Sequence, residues 1–163
     1  MESSKEKKIL VSGASIAGLS TAYWMNRLGY KVTVIEMANE PRTNGAAVDL
    51  RGSTIDIVKR MGIFEQLKAH RLHVEKIEFK NADDHTEGSI LLTNEGEELL
   101  DDEIEIERDK FLGILYTKLK NDVDFIFNNS ITSLNETEDN INVTFKDGSQ
   151  HAFHLVFGCD GIH

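Results

Sequence analysis

The chain has 163 residues, 40% of them hydrophobic and 28% charged, with a net charge of −10 at neutral pH. That length suits one domain with a single core and excludes two full-sized ones, while the composition excludes a disordered chain. The acidic balance argues against nucleic acid or an anionic membrane as partner, and a lone cysteine, Cys159, excludes an intrachain disulfide and points to the reducing cytoplasm.

Lys5, Lys7 and Lys8 precede an apolar run, as in a secretory leader. Glycines and serines break that run, however, and it continues into a helix carrying Asn26 and Arg27, which fits a strand–turn–helix better. No stretch approaches the length of a transmembrane helix. Residues 8–13 read as a short apolar strand and 16–29 as a helix burying Ile16, Leu19, Ala22, Tyr23 and Leu28, closed by Gly29. Lys31 to Met37 is apolar on both faces, the pattern of a central parallel strand. Strand, helix and strand make one right-handed βαβ unit.

A loop around Pro41 and Gly45 leads to an extended piece at 46–50, after which Ser53 is expected to cap a helix running to Met61. A shorter helix is expected over 63–70, then antiparallel strands at 73–81 and 89–94, then an acidic, solvated loop at 95–103. Residues 104–108 form a brief strand before a helix over 109–120, and 123–127 is expected to rejoin the parallel sheet. Three alternating strands follow near 130–135, 140–145 and 150–153, with Asp147-Gly148 as a hairpin turn. The last segment, 154–161, reads as an apolar strand ending in a turn.

The chemistry starts at Gly13-Ala-Ser15-Ile16-Ala17-Gly18. Gly13 permits a tight turn, Gly18 lets helix and strand approach, and free amide groups at the helix start face the phosphates of a dinucleotide. Ser15 stands where the fingerprint Gly-x-Gly-x-x-Gly has its second glycine; it is small and brings a hydroxyl donor. Glu36 lies at the end of the second strand, where a carboxylate accepts from ribose hydroxyls and favours FAD or NAD over NADP at this site. Gly13-Ala-Ser15-Ile-Ala17 also approximates the nucleophile elbow of α/β-hydrolases. Against that stand its position on the first strand and the lack of an evident histidine base. The six histidines suggest no metal site, since no cysteine pair or His-Glu cluster accompanies them.

These residues resemble the FAD-dependent aromatic hydroxylases of the para-hydroxybenzoate hydroxylase type, in the branch of tetracycline and polyketide monooxygenases. The resemblance rests on Gly13 to Leu19, Val34-Ile-Glu36, Arg42 to Gly52, Glu107-Arg108 to Leu115, and Val156 to His163, in order along the chain. It implies an α/β, Rossmann-like FAD-binding fold: a βαβ parallel sheet with a β-meander crossover, plus a partial antiparallel substrate-side sheet. Residues 1–72 and 108–163 would form the FAD-binding domain, and 73–107 part of a substrate-domain insertion. By position, Gly13, Ser15, Ile16, Ala17 and Gly18 would form the pyrophosphate turn and Glu36 the ribose acceptor. Arg42 would lie near the approach of the nicotinamide nucleotide. Asp49 would contact the flavin, Arg108 would reach its ribityl and pyrophosphate region, and Asp160 and Gly161 would support both FAD and transient NADPH or NADH binding. The implied reaction uses NAD(P)H and O2 to hydroxylate an aromatic or polyketide-like small molecule, with chemistry carried by the flavin and no amino-acid catalyst. Members of this family continue past the Asp-Gly motif, so the chain is expected to be an N-terminal portion. Two other readings stay open: a non-catalytic FAD- or ADP-binding fragment, and a non-flavin NAD-dependent oxidoreductase.

Overall fold

The first apolar run becomes β1 (Lys8–Ser12), its last four residues all buried. The computed structural model describes residues 7–41, 45–73, 75–91 and 103–161. After β1 come helix α1 (Ile16–Arg27) and strand β2 (Lys31–Ile35), which runs parallel to β1 in the register Lys8↔Lys31 to Ser12↔Ile35. Helix α1 buries Leu19, Ala22 and Tyr23. Its end is closed by the Gly29 N–H on the Asn26 carbonyl and the Tyr30 N–H on the Met25 carbonyl, a Schellman arrangement. Two expected core residues lie outside: Leu28 is 68% exposed and Met37 60%. Leu28 follows the last helical residue, and Met37 falls in the loop beyond β2, so neither belongs to the face its element buries.

The chain divides into two compact units: Met1–Asn44 with Asp109–His163, and Gly45–Arg108. The second unit begins with β3 (Val48–Arg51), α2 (Ser53–Met61) and α3 (Phe64–Ala69). Strands β4 (Lys76–Lys80) and β5 (Thr86–Leu91) pair as an antiparallel hairpin, and β6 (Glu103–Ile106) pairs antiparallel with β3. Ser53 does not cap α2. The chain enters that helix at Gly52, with φ of +55°, so Ser53 is already helical and no side chain caps the turn. The expected acidic loop at 95–103 lies outside the described residues except for Glu103, which opens β6.

Helix α4 (Arg108–Leu119) leads back into the first unit, where β7 (Asp124–Ile126) joins β2 in parallel. Strands β8 (Ile131–Glu136), β9 (Ile141–Phe145) and β10 (Gln150–Phe153) form an antiparallel meander. The last strand, β11 (Leu155–Gly158), returns to the parallel sheet beside β1, giving the order β11-β1-β2-β7. Leu10 and Ile35 of that sheet pack with Val143, Phe145 and Phe153 of the meander in one core cluster. This is the α/β fold expected, a parallel sheet crossed by a meander, with antiparallel strand pairs in the other unit. Among the described residues, no helix is long and apolar enough to cross a membrane.

Candidate dinucleotide site

Three parallel strands deliver their carboxyl ends to one place, the position where open α/β sheets bind ligands. β1 ends in the turn Gly13–Ser15. Gly13 has φ of +103°, and a Cβ built on it would stand 2.5 Å from the Cys159 carbonyl oxygen and 3.2 Å from the Asp160 Cα. A Cβ at Gly18 would stand only 1.8 Å from the Gly13 carbonyl oxygen. Both glycines are therefore demanded by space: the turn is pressed between the first turn of α1 and the chain leaving β11. Ser15 is the N-cap residue of α1, and its carbonyl accepts the Leu19 N–H at 2.9 Å. Its side chain makes no capping bond, and no acidic residue lies in the first turn. The amide groups of Ile16, Ala17 and Gly18 sit where a helix supplies no acceptor of its own, and the helix dipole there favours an anion.

Glu36 follows β2 and is 8% exposed. One carboxylate oxygen accepts the Ala14 N–H at 2.7 Å and the other the Ala38 N–H at 3.0 Å. Its own backbone is held on both sides, the N–H by the Ile126 carbonyl and the carbonyl by the Asn129 N–H. A carboxylate offers about four acceptor directions. Two are used here to fasten the glycine turn to the loop after β2, leaving capacity for hydroxyl donors. Glu36 is thus a buried fastening between two loops rather than a solvated strand end.

The Asp160–Gly161 turn lies beside Gly13. The Cys159 N–H donates to the Ser12 carbonyl at 2.8 Å, and the Ser12 hydroxyl donates to the Asp160 carboxylate at 2.5 Å. Sequence reasoning passed over Ser12; its signal was a polar residue ending an otherwise apolar strand. It also passed over Ala14, Ala38 and Asn129, whose contributions are backbone groups that side-chain chemistry does not announce. Cys159 is a free thiol, half-buried, with its sulfur 4.0 Å from the Thr21 hydroxyl.

The structure brings Gly13, Ser15, Ile16, Ala17, Gly18, Glu36, Asp160 and Gly161 together within the first unit. Asp49 and Arg108 belong to the second. Asp49 is paired with Arg51 at 2.8 Å, and Arg51 also meets Glu103 at 3.0 Å across the β3–β6 pair. Arg108 starts α4, and its stem passes so near Gly45 that a Cβ there would be 2.7 Å from the Arg108 Cδ. Arg42 lies outside the described residues. Two histidines have structural contacts: His154 Nδ1 accepts the Lys8 N–H, and His151 stacks on Phe145. Among the described residues, no three of His, Cys, Asp or Glu gather to hold a metal ion.

A parallel sheet, a glycine turn without room for side chains and a buried acid after the second strand define a dinucleotide-binding domain of the Rossmann type. A family of FAD binding domains matches over residues 6–163, and the chain belongs to it. It is 37% identical over 163 residues to a flavin-dependent monooxygenase of Legionella longbeachae, covering 98% of this chain and 41% of the relative. It is 35% identical to an uncharacterized protein of Mycobacterium tuberculosis, covering 96% of this chain and 42% of that one. Among solved structures, the tetracycline destructase Tet(51) superposes with a TM-score of 0.85 at 34% identity, over 96% of this chain and 39% of that chain. The chain thus spans about two fifths of the length of these proteins. The cofactor of the family is FAD, and the residues present fit its adenine dinucleotide end. The turn has two places that only glycine occupies, a helix start with no side-chain cap bond and no acid in its first turn, and a buried carboxylate with acceptor capacity left.

Proposed function

We propose that this chain is the N-terminal FAD-binding portion of a flavin-dependent monooxygenase that uses NAD(P)H and O2 to hydroxylate an aromatic or polyketide-like small molecule. The observation that carries this reading is the Gly13–Gly18 turn locked to Glu36, joined to relatives that bear the monooxygenase name. In it, the amide groups of Ser15, Ile16, Ala17 and Gly18 hold the pyrophosphate, and Glu36 accepts the ribose hydroxyls. Asp160 and Gly161 support the cofactor from the turn after β11, and family resemblance alone supports Arg42, Asp49 and Arg108 as further cofactor-binding residues. Residues 73–107 form part of the substrate side. When bound, the flavin would supply the redox chemistry that the side chains lack. The chain's own task is to bind, orient and shield that group, so no side chain is assigned as acid, base or nucleophile. The single reduced thiol and the acidic surface suit a soluble, cytoplasmic protein.

A second reading follows from coverage. The chain spans 41% of the Legionella relative, and the alternative activity for these residues is that of a FAD- or ADP-binding module. One preparation separates the two. Purified chain is titrated with FAD, followed by flavin fluorescence and thermal unfolding, and then assayed for NADPH oxidation with phenolic and polyketide substrates. Binding with substrate-dependent oxidation supports the enzyme. Binding without oxidation supports the module, and absence of binding refutes FAD binding by this chain on its own while leaving its family unchanged.

A further inference from the structure

Ser12 is the polar end of a strand that is otherwise apolar, and it is 7% exposed. A buried hydroxyl is costly unless it is bonded. Here its hydrogen goes to Asp160 Oδ1, 2.5 Å away and 148 residues along the chain. A hydroxyl donating to a carboxylate makes the stronger kind of hydrogen bond. Asp160 is exposed, and among the described residues the Ser12 hydroxyl is its one hydrogen-bond partner. The regular pairing of β1 with β11 ends at Ser12↔Gly158, and the Cys159 N–H makes the last backbone bond across it. Beyond that bond, the side chain of Ser12 takes over where the ladder stops. The segment it restrains is the one packed on the glycine turn, where a Cβ at Gly13 would meet the Asp160 Cα at 3.2 Å.

We propose that Ser12 is a positioning residue for FAD binding: its hydroxyl fixes the Asp160 carboxylate and the turn that carries it against Gly13. Two physical effects follow. An unrestrained carboxylate is free to swing out of the position in which it supports the cofactor, whereas a fixed one keeps its charge in one place. Ordering the Asp160–Gly161 turn before the cofactor arrives also removes a cost otherwise met on binding. The inference rests on the reading of Asp160 as part of the cofactor site.

The test is a double-mutant cycle on the full 163-residue chain, with FAD affinity read by flavin fluorescence and stability of the ligand-free protein by thermal unfolding. Ser12→Ala is expected to weaken FAD by about tenfold, the size of one lost charge-assisted hydrogen bond, while Ser12→Thr keeps the hydroxyl and most of the affinity. In Asp160→Ala the further change Ser12→Ala should have no effect on affinity, a non-additivity that a merely structural serine would not produce. Affinity of Ser12→Ala within twofold of the parent, with Asp160→Ala weakened, overturns the inference and leaves Asp160 in the site. Full affinity in Asp160→Ala overturns the reading of Asp160 itself. A parent chain that takes up no FAD overturns the cofactor reading and this inference together.

Discussion

Glu36 shows how much one side chain carries before any ligand arrives. Both its oxygens accept backbone N–H groups in a buried position, from Ala14 and Ala38. Glutamine has the same shape with one acceptor oxygen instead of two. Glu36→Gln therefore sets an amide donor against one of those N–H groups, and should destabilise the ligand-free chain by about 1–3 kcal/mol. A urea titration reads this as a lower midpoint at unchanged slope; an unchanged midpoint would mean that the two bonds do not hold the turn. Asp147 makes a separate case on the surface. Hydrogen bonds from the Ser149 side chain, then its backbone N–H, hold the Asp147 carboxyl below the ordinary carboxylate value. A depressed folded-state value contributes stability above the unfolded value, and this is lost as pH falls through the folded one. Ser149→Ala removes the larger cause, so the Asp147 titration followed by NMR should move up toward the ordinary value, though not all the way.

At the scale of elements, the glycines separate two kinds of helix position. In α1, a methyl at Gly18 has a backbone carbonyl 1.8 Å away, and neither partner is a flexible tip. Gly18→Ala must shift the helix off the strand, with an expected cost of about 2–3 kcal/mol and loss of FAD binding. In α4, a Cβ at Gly113 meets nothing within 4 Å, so Gly113→Ala is expected to stabilise by up to about 1 kcal/mol through helix propensity. Thermal unfolding of both variants checks the pair, and equal effects would refute the packing argument. The same contrast explains which elements were legible in the sequence. β1, α1, β2 and the meander announce themselves by period and by Asp147-Gly148, because their apolar residues meet a core on a regular face. Leu28, Met37 and Ser53 were misread because their roles depend on where the helix or strand ends by a residue or two, which Gly52 decides for α2. Of the site, the glycines and Glu36 were legible through spacing. Ser12 was not, because its partner lies 148 residues away and only the parallel pairing of β1 with β11 brings them together.

For the whole molecule, the two units differ in what could respond to FAD. The glycine turn, Glu36, Ser12 and Asp160 all belong to the first unit and are tied to one another by hydrogen bonds. In the second, the β4–β5 hairpin has Ile77, Phe79 and Ile90 at 42%, 55% and 50% exposure, and a two-stranded hairpin has little stability of its own. Ligand binding to the native state stabilises by about 2.7 kcal/mol at a hundredfold excess over Kd. That gain reaches every amide that exchanges through global unfolding, while an amide that exchanges by local opening gains only if the opening breaks the site. Hydrogen exchange with and without FAD should therefore slow at 13–19, 36–38 and 158–160 by about a hundredfold. Residues 76–91 should exchange fast in both states. Protection of the hairpin equal to that of the glycine turn would refute the argument that it opens locally without breaking the site.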